Sequence, residues 1–202
     1  MPGQIEEIYK PIVGCPLRCE GIIRDDDTNI PRGFFTEANP GDKIAIMVVA
    51  LNPGQPMSVE AGLYKNGDDL AKTRAHLDLV RKAFLSGEGK TFHERLLTWI
   101  AEILEIEKSE IFRQVVYTNL VKCTTPGNKK PSRQLGESCF EQNLKYEIAR
   151  WKPLNIIALG KSCFKALLGL SVDCLELPHP SHRRDRNYHI PFVAEIKKKL
   201  RN

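Results

Sequence analysis

Residues 43–50, KIAIMVVA, form a continuous apolar run rich in β-branched side chains, and it stops at Leu51 and the turn residues Asn52-Pro53-Gly54. A strand with no polar alternation is buried on both faces, and such strands belong to parallel sheets covered by helices. The rest of the chain keeps to that plan. Residues 70–85 (DLAKTRAHLDLVRKAF) and 92–105 (FHERLLTWIAEILE) carry apolar residues at helical spacing, and 114–121 (QVVYTNLV) reads as a strand running into Lys122-Cys123. Ser132 is a natural N-cap for a helix through Trp151. Residues 155–159 (NIIAL) form a short strand closed by Gly160, a short helix follows to Gly169, and 172–177 (VDCLEL) is a last strand stopped by Pro178. Pro191 opens a terminal helix. The expected fold is α/β: a three-layer α/β/α arrangement around a central, mostly parallel four-stranded sheet, with residues 1–202 in a single domain.

Composition removes several classes of protein. Hydrophobic residues at 42%, charged residues at 27%, 14 Gly and 13 Pro exclude a disordered chain, a collagen and a coiled coil. The longest apolar run, Ile44 to Leu51, is far below the ~20 residues of a membrane span. The opening MPGQIEEIYK has neither the basic nor the apolar region of a signal peptide. These features predict a cytoplasmic protein (nuclear in a eukaryote) that is not in a membrane and acts as a monomer. In that reducing setting, the six cysteines are metal ligands or buried thiols rather than disulfides.

Ligands of open parallel sheets bind outside the carboxyl ends of the strands. That rule selects 50–56 (ALNPGQP), 117–123 (YTNLVKC) and 178–182 (PHPSH). The cysteines fall near the same loops. Cys15 and Cys19 flank a turn, GCPLRC, and Cys123 is separated from Cys139 by TTPGNKKPSRQLGES. Four thiolates suit zinc or an iron–sulfur cluster, and spacing alone does not choose between them or exclude four unrelated buried thiols. Cys163 and Cys174 read as core residues in a helix and a strand.

The net charge of +5 is modest, but its placement is lopsided. Residues 183–202 hold Arg183, Arg184, Arg186, Lys197, Lys198, Lys199 and Arg201 against Asp185 and Glu195. Lys122, Lys129, Lys130 and Arg133 make a second cluster. A phosphate backbone selects such concentrations, although Lys197–Lys199 equally suit a solvated helix face. Gly160-Lys161-Ser162 looks like the end of a phosphate-binding loop, but Asn155 stands where that motif needs glycine.

Taken in order, ALNPGQ after a buried strand, YTNLVKC with a second cysteine sixteen positions on, IALG before a short helix and then HPS resemble the uracil-DNA glycosylase superfamily. The resemblance covers residues 12–195 and is closest to the iron–sulfur branch, family 4. It implies a DNA-repair hydrolase that cleaves the N-glycosidic bond of uracil in single-stranded or mismatched DNA. Carried over by position, Asn52 would orient the attacking water and His179 would act on the departing base, the two catalytic roles. Gln55, Tyr64, Asn119 and Ser181 would bind substrate: Tyr64 by stacking on the flipped base, Asn119 by reading the uracil edge, Ser181 at a phosphate. His182, Arg183, Arg184 and Arg186 would lie against DNA. Cys15, Cys19, Cys123 and Cys139 would hold a 4Fe-4S cluster, with zinc as the second candidate.

Three departures from the family pattern carry their own expectations. The first cysteine pair is spaced Cx3C rather than Cx2C, and LNPG replaces the branch's GE(A/G)PG, as in mismatch-specific glycosylases. The loop after HPS reads His182-Arg183-Arg184-Asp185-Arg186, where many members place an apolar wedge. Taken alone, Asn52 is a turn residue, Asn119 a strand-end cap, Tyr64 a core aromatic and His179 a loop histidine. The competing functions are a glycosylase for hypoxanthine or xanthine, a non-catalytic nucleic-acid-binding protein of the same fold, and a zinc-stabilised protein of unrelated function.

Overall fold

The fold is seen in a computed structural model that describes residues 3–25, 27–56, 60, 62–85, 91–181 and 187–201. Among these residues the sheet has four strands, all parallel, in the order β2-β1-β3-β4: β1 Ile46–Ala50, β2 Val115–Asn119, β3 Asn155–Leu159 and β4 Leu175–Leu177. Parallel neighbours need long crossovers, and the helices supply them. Helices α2 (Asp69–Leu85) and α3 (Thr91–Leu104) connect β1 to β2; α4 (Arg133–Cys139) and α5 (Lys145–Trp151) connect β2 to β3; α6 (Gly160–Gly169) connects β3 to β4. Helix α7 (Ile190–Leu200) follows β4.

Every residue of β1 is buried, as its unbroken apolar run requires, and its two faces feed different cores. Met47 and Val49, with Val116 and Ala158, pack under α1 (Gly3–Val13), α4, α5 and α6. Ile46, Val48 and Ala50, with Val115 and Ile157, pack under α3 and α7. The period-two alternation of a strand thus builds two cores from one segment, giving helix, sheet and helix layers. Ser132 caps α4 as expected, its Oγ accepting from the Leu135 N–H at 3.2 Å. The helix through Trp151 is continuous but carries a wider π turn over Phe140–Leu144, directly after Cys139.

Two elements differ from expectation. The last strand is only Leu175–Leu177, so Cys174 lies just before it, buried in the first core. Helix α1 falls in a segment to which the sequence reading assigned no element; its Ile8, Tyr9 and Ile12 fall on one face and are buried. That helix has a specific task. The Tyr9 hydroxyl accepts from the Gly33 N–H at 2.7 Å, and a Cβ on Gly33 would stand 2.6 Å from the Tyr9 ring. The segment so fixed continues to Phe35, which exchanges backbone hydrogen bonds with Tyr117 at 2.7 and 2.9 Å and covers the open edge of β2. Gly33→Ala is expected to cost ~1–3 kcal/mol by overpacking. Denaturant midpoints would measure it, and an unchanged midpoint would contradict the contact.

Candidate active site

The chain leaves β1 toward β2 but leaves β3 toward β4, so connections diverge at the carboxyl ends of the strands. A cavity of about 460 Å³ lies there, within the size range of small-molecule sites. Asn52, Gln55, Asn119, His179 and Ser181 all border it, so residues far apart in sequence meet at one place.

The loop after β1 is pinned from one side. Asn52 donates through Nδ2 to Thr125 Oγ1 at 3.1 Å and to the Pro53 carbonyl at 3.3 Å. Thr125 Oγ1 donates in turn to the Lys129 carbonyl at 2.6 Å. With the nitrogen committed, Oδ1 is the atom of the Asn52 amide left to accept from a bound molecule. Gln55 clamps the same two loops, Nε2 donating to the Thr125 carbonyl at 2.9 Å and to Asn128 Oδ1 at 3.3 Å. Its nitrogen is therefore occupied by the protein, which makes Gln55 a brace of the cavity wall.

Asn119 ends β2, 5% exposed, and its Oδ1 is buried with no hydrogen-bond partner among the described residues. A buried amide oxygen left so costs ~1–3 kcal/mol unless a ligand or water donates to it. His179 follows β4 and packs on Phe92, ring centroids 5.3 Å apart. The Ser181 N–H donates to His179 Nδ1 at 3.3 Å, which places the proton of the neutral ring on Nε2 and makes that nitrogen a donor. Gly160 is what lets His179 come so close to the sheet. It sits at φ 80°, where glycine is favoured, and a Cβ there would lie 3.2 Å from that of His179.

Tyr64 is not where the resemblance puts it. It is 1% exposed, packed in the first core, and absent from the cavity wall. Its hydroxyl donates to Glu60 Oε2 and meets His76 Nδ1, both at 3.1 Å. The ring is held too deep to stack on a base. The aromatic residues that border the cavity are instead Phe34, Phe35, Phe84, Phe92 and Tyr117. Phe34 and Phe35 were missed by sequence reasoning; their only signal was an aromatic pair directly after Pro-Arg-Gly.

The four expected metal-site cysteines converge beside this cavity. Ile23 and Thr124 are bridged, with the Ile23 N–H donating to the Thr124 carbonyl at 2.7 Å, and Arg24 Nη1 donates to the Cys15 carbonyl at 2.5 Å. These contacts fold the Cys15–Cys19 turn onto the Cys123 loop. Burial first, and then the neighbouring Cys139, Cys15 and Cys19 sulfurs, push the Cys123 thiol up to about 12. Burial also raises Cys139, against the nearby Lys122 charge. Its Sγ accepts from the Lys122 N–H at 3.3 Å and from Asn143 Nδ2 at 3.5 Å. Among the described residues no three His, Cys, Asp or Glu side chains are already drawn to metal-binding distances. The donor set is nevertheless of the right kind: Cys123 interacts with the other three sulfurs, which come from the bridged Cys15–Cys19 turn and the end of α4, and Cys139 already accepts two N–H bonds.

The cation clusters sort differently. Lys122 is 1% exposed, so it cannot touch a phosphate backbone; its Nζ pairs with Glu147 Oε1 at 2.5 Å and donates to Thr118 Oγ1 at 2.7 Å. Lys129, Lys130 and Arg133 are exposed, Arg133 in an ion pair with Glu137. Lys197 and Arg201 both pair with Glu105, and Lys199 pairs with Glu195, as in a solvated helix face. His182, Arg183, Arg184 and Arg186 lie outside the described residues. No described helix is long and apolar enough to cross a membrane.

Comparison with known proteins points the same way. The chain is 37% identical over 152 residues to a type-4 uracil-DNA glycosylase of Pyrobaculum aerophilum, an alignment covering 74% of this chain and 62% of that relative. This chain thus spans less than two thirds of that relative's length. A model of the uracil DNA glycosylase superfamily matches residues 38–201, which takes in all four strands and the cavity-lining residues Asn52, Gln55, Asn119, His179 and Ser181. With a match of that extent on a parallel sheet whose strand ends carry the cavity, the chain belongs to the uracil DNA glycosylase superfamily.

Proposed function

We propose that the protein hydrolyses the N-glycosidic bond of uracil in DNA, as a base-excision repair glycosylase. The observation that carries this reading is the unpartnered Oδ1 of Asn119, buried in the wall of the cavity that Asn52 and His179 also line. Uracil supplies what that atom lacks, because its N3–H can donate to Oδ1 while its O4 accepts from the Asn119 NH₂. Cytosine offers the opposite pattern at the same edge, and mismatched buried polar groups discriminate strongly.

The base reaches the cavity only after leaving the helical stack, so the substrate is a flipped nucleotide or a single strand. Cleavage leaves positive charge on the sugar and negative charge on the base. The Nε2–H of neutral His179 is the donor for O2 as that charge grows, and pre-arranged donors of this kind supply a large share of catalysis. Asn52, its nitrogen tied to Thr125, would accept from the water that attacks the sugar carbon. An amide cannot take the proton. Asn52→Asp should therefore raise the single-turnover rate by ~10-fold or more, since a carboxylate both accepts a proton and opposes the cationic sugar. A clear loss of rate would sink this role.

Cys15, Cys19, Cys123 and Cys139 would hold a 4Fe-4S cluster, with zinc as the other candidate occupant. Its chemistry here is a structural crosslink, since hydrolysis transfers no electron. Alkali-revealed strand breaks in oligonucleotides carrying uracil, hypoxanthine or xanthine, single-stranded and mismatched, test the function. Breaks at uracil support it; breaks only at another base keep the mechanism and replace the substrate; binding without breaks overturns it.

A further inference from the structure

The amide of Asn52 can turn either end toward the cavity, and the two ends do opposite things there. An oxygen accepts from a water and leaves the water's lone pair free to attack, whereas an NH₂ donates to that lone pair and ties it up. What selects the end stands on the facing loop. Thr125 is 2% exposed, so bulk water does not compete for its hydroxyl. Its Oγ1 lies 2.6 Å from the Lys129 carbonyl, and a carbonyl only accepts, so the single hydroxyl proton sits between these two oxygens. Toward Asn52, 3.1 Å away, Thr125 has only lone pairs left, and the NH₂ is the end of the amide that satisfies them.

The Lys129 carbonyl that starts this order is itself held in place. The Asn128 N–H donates to the Thr125 carbonyl at 3.1 Å and the Lys129 N–H to the Pro126 carbonyl at 3.2 Å. These bonds close a turn through Gly127 and Asn128, both left-handed at φ 60° and 55°. Gln55 Nε2 donates to the same Thr125 carbonyl at 2.9 Å and keeps the turn against the loop after β1. The proton order thus runs from the turn inward: Lys129 carbonyl, Thr125 hydroxyl, Asn52 amide. A carboxylate at position 52 would have two like oxygens and no wrong end, so the requirement arises with asparagine.

We propose that Thr125 is a positioning residue for the hydrolysis, whose hydroxyl, oriented by the Lys129 carbonyl, keeps the Asn52 amide oxygen turned to the cavity and to the attacking water. This rests on the glycosylase reading above, in which Asn52 orients that water.

Two measurements test this, the first without substrate. The Asn52 side-chain NH₂ of the ¹⁵N-labelled full chain is assigned by its loss from the spectrum of Asn52→Asp. It should be protected from solvent exchange in the wild type and in Thr125→Ser, and lose that protection in Thr125→Val. Equal protection in wild type and Thr125→Val overturns the proposal. The second is a cycle of single-turnover rates on a uracil oligonucleotide. At saturating enzyme, Thr125→Val should lower the rate by about 3- to 10-fold, the worth of one hydrogen bond, with little change in the concentration needed to saturate. Thr125→Ser should recover most of that loss. In the Asn52→Asp background the same Thr125→Val change should alter the rate by less than about 2-fold, because the two sites are then uncoupled. A residue that only supports the turn gives equal losses in both backgrounds, and that result overturns the proposal. Release of no uracil by the wild type removes the glycosylase reading, and the exchange measurement then decides the orientation of the amide on its own.

Discussion

His179→Ala is expected to cut the rate of uracil release by about 100- to 1,000-fold, the loss typical of removing one donor to a developing oxyanion. The loss should appear in kcat rather than KM, because the charge on O2 grows only as the bond breaks. The geometry behind this is the Ser181 N–H on Nδ1, which commits the proton to Nε2, and the ring support from Phe92. Gly160 enters the same argument as a positioning residue: its missing Cβ lets the histidine approach the β3–α6 junction. Single-turnover rates on a uracil oligonucleotide would measure the effect, and a His179→Ala enzyme within a few-fold of wild type would remove the histidine from the mechanism.

The second large effect is on stability. Lys122→Met should cost ~3–5 kcal/mol, because it leaves Glu147 charged, buried and unpaired. For a chain of this size that corresponds to a fall in Tm of roughly 10–15 °C. Lys122→Met combined with Glu147→Leu should recover most of the loss, since both charges are then gone. Thermal melts of the two variants settle the matter; equal Tm values for the single and double variants would contradict the pairing. The pair matters for the site because Lys122 stands between the end of β2, which carries Asn119, and Cys123, and its own N–H donates to Cys139. Glu147 also accepts from Thr118 at 2.6 Å, so one buried ion pair holds the strand end that carries Asn119 and the start of the loop that carries Cys123.

The sheet was legible because its evidence is local. A run such as Ile46–Ala50 declares burial on both faces by itself, and the turn residues after it declare the strand end. From there the carboxyl-end rule picked three segments that border the cavity, and missed the Arg32–Phe35 segment, which follows no strand of the sheet. Lys122 was read as one of a set of surface cations because its partner is far away in sequence and appears only when α5 packs on the sheet. Tyr64 was placed by counting residues from Asn52, and a count fixes distance along the chain but not direction. The hydrogen-bonded Arg32–Glu60–Tyr64–His76 chain joins three separate segments, and no single window of sequence holds its signal. Helix α1 went unassigned although its signal, the helical spacing of Ile8, Tyr9 and Ile12, is local.

The central claim is that uracil, and not another base, is freed at this cavity. Its most direct measurement is the free base released from an oligonucleotide with a single uracil, identified by mass and compared between the wild-type chain and Asn119→Ala. Uracil released by the wild type, and lost with Asn119, is the expected result. No free base, or release indifferent to Asn119, would contradict the account.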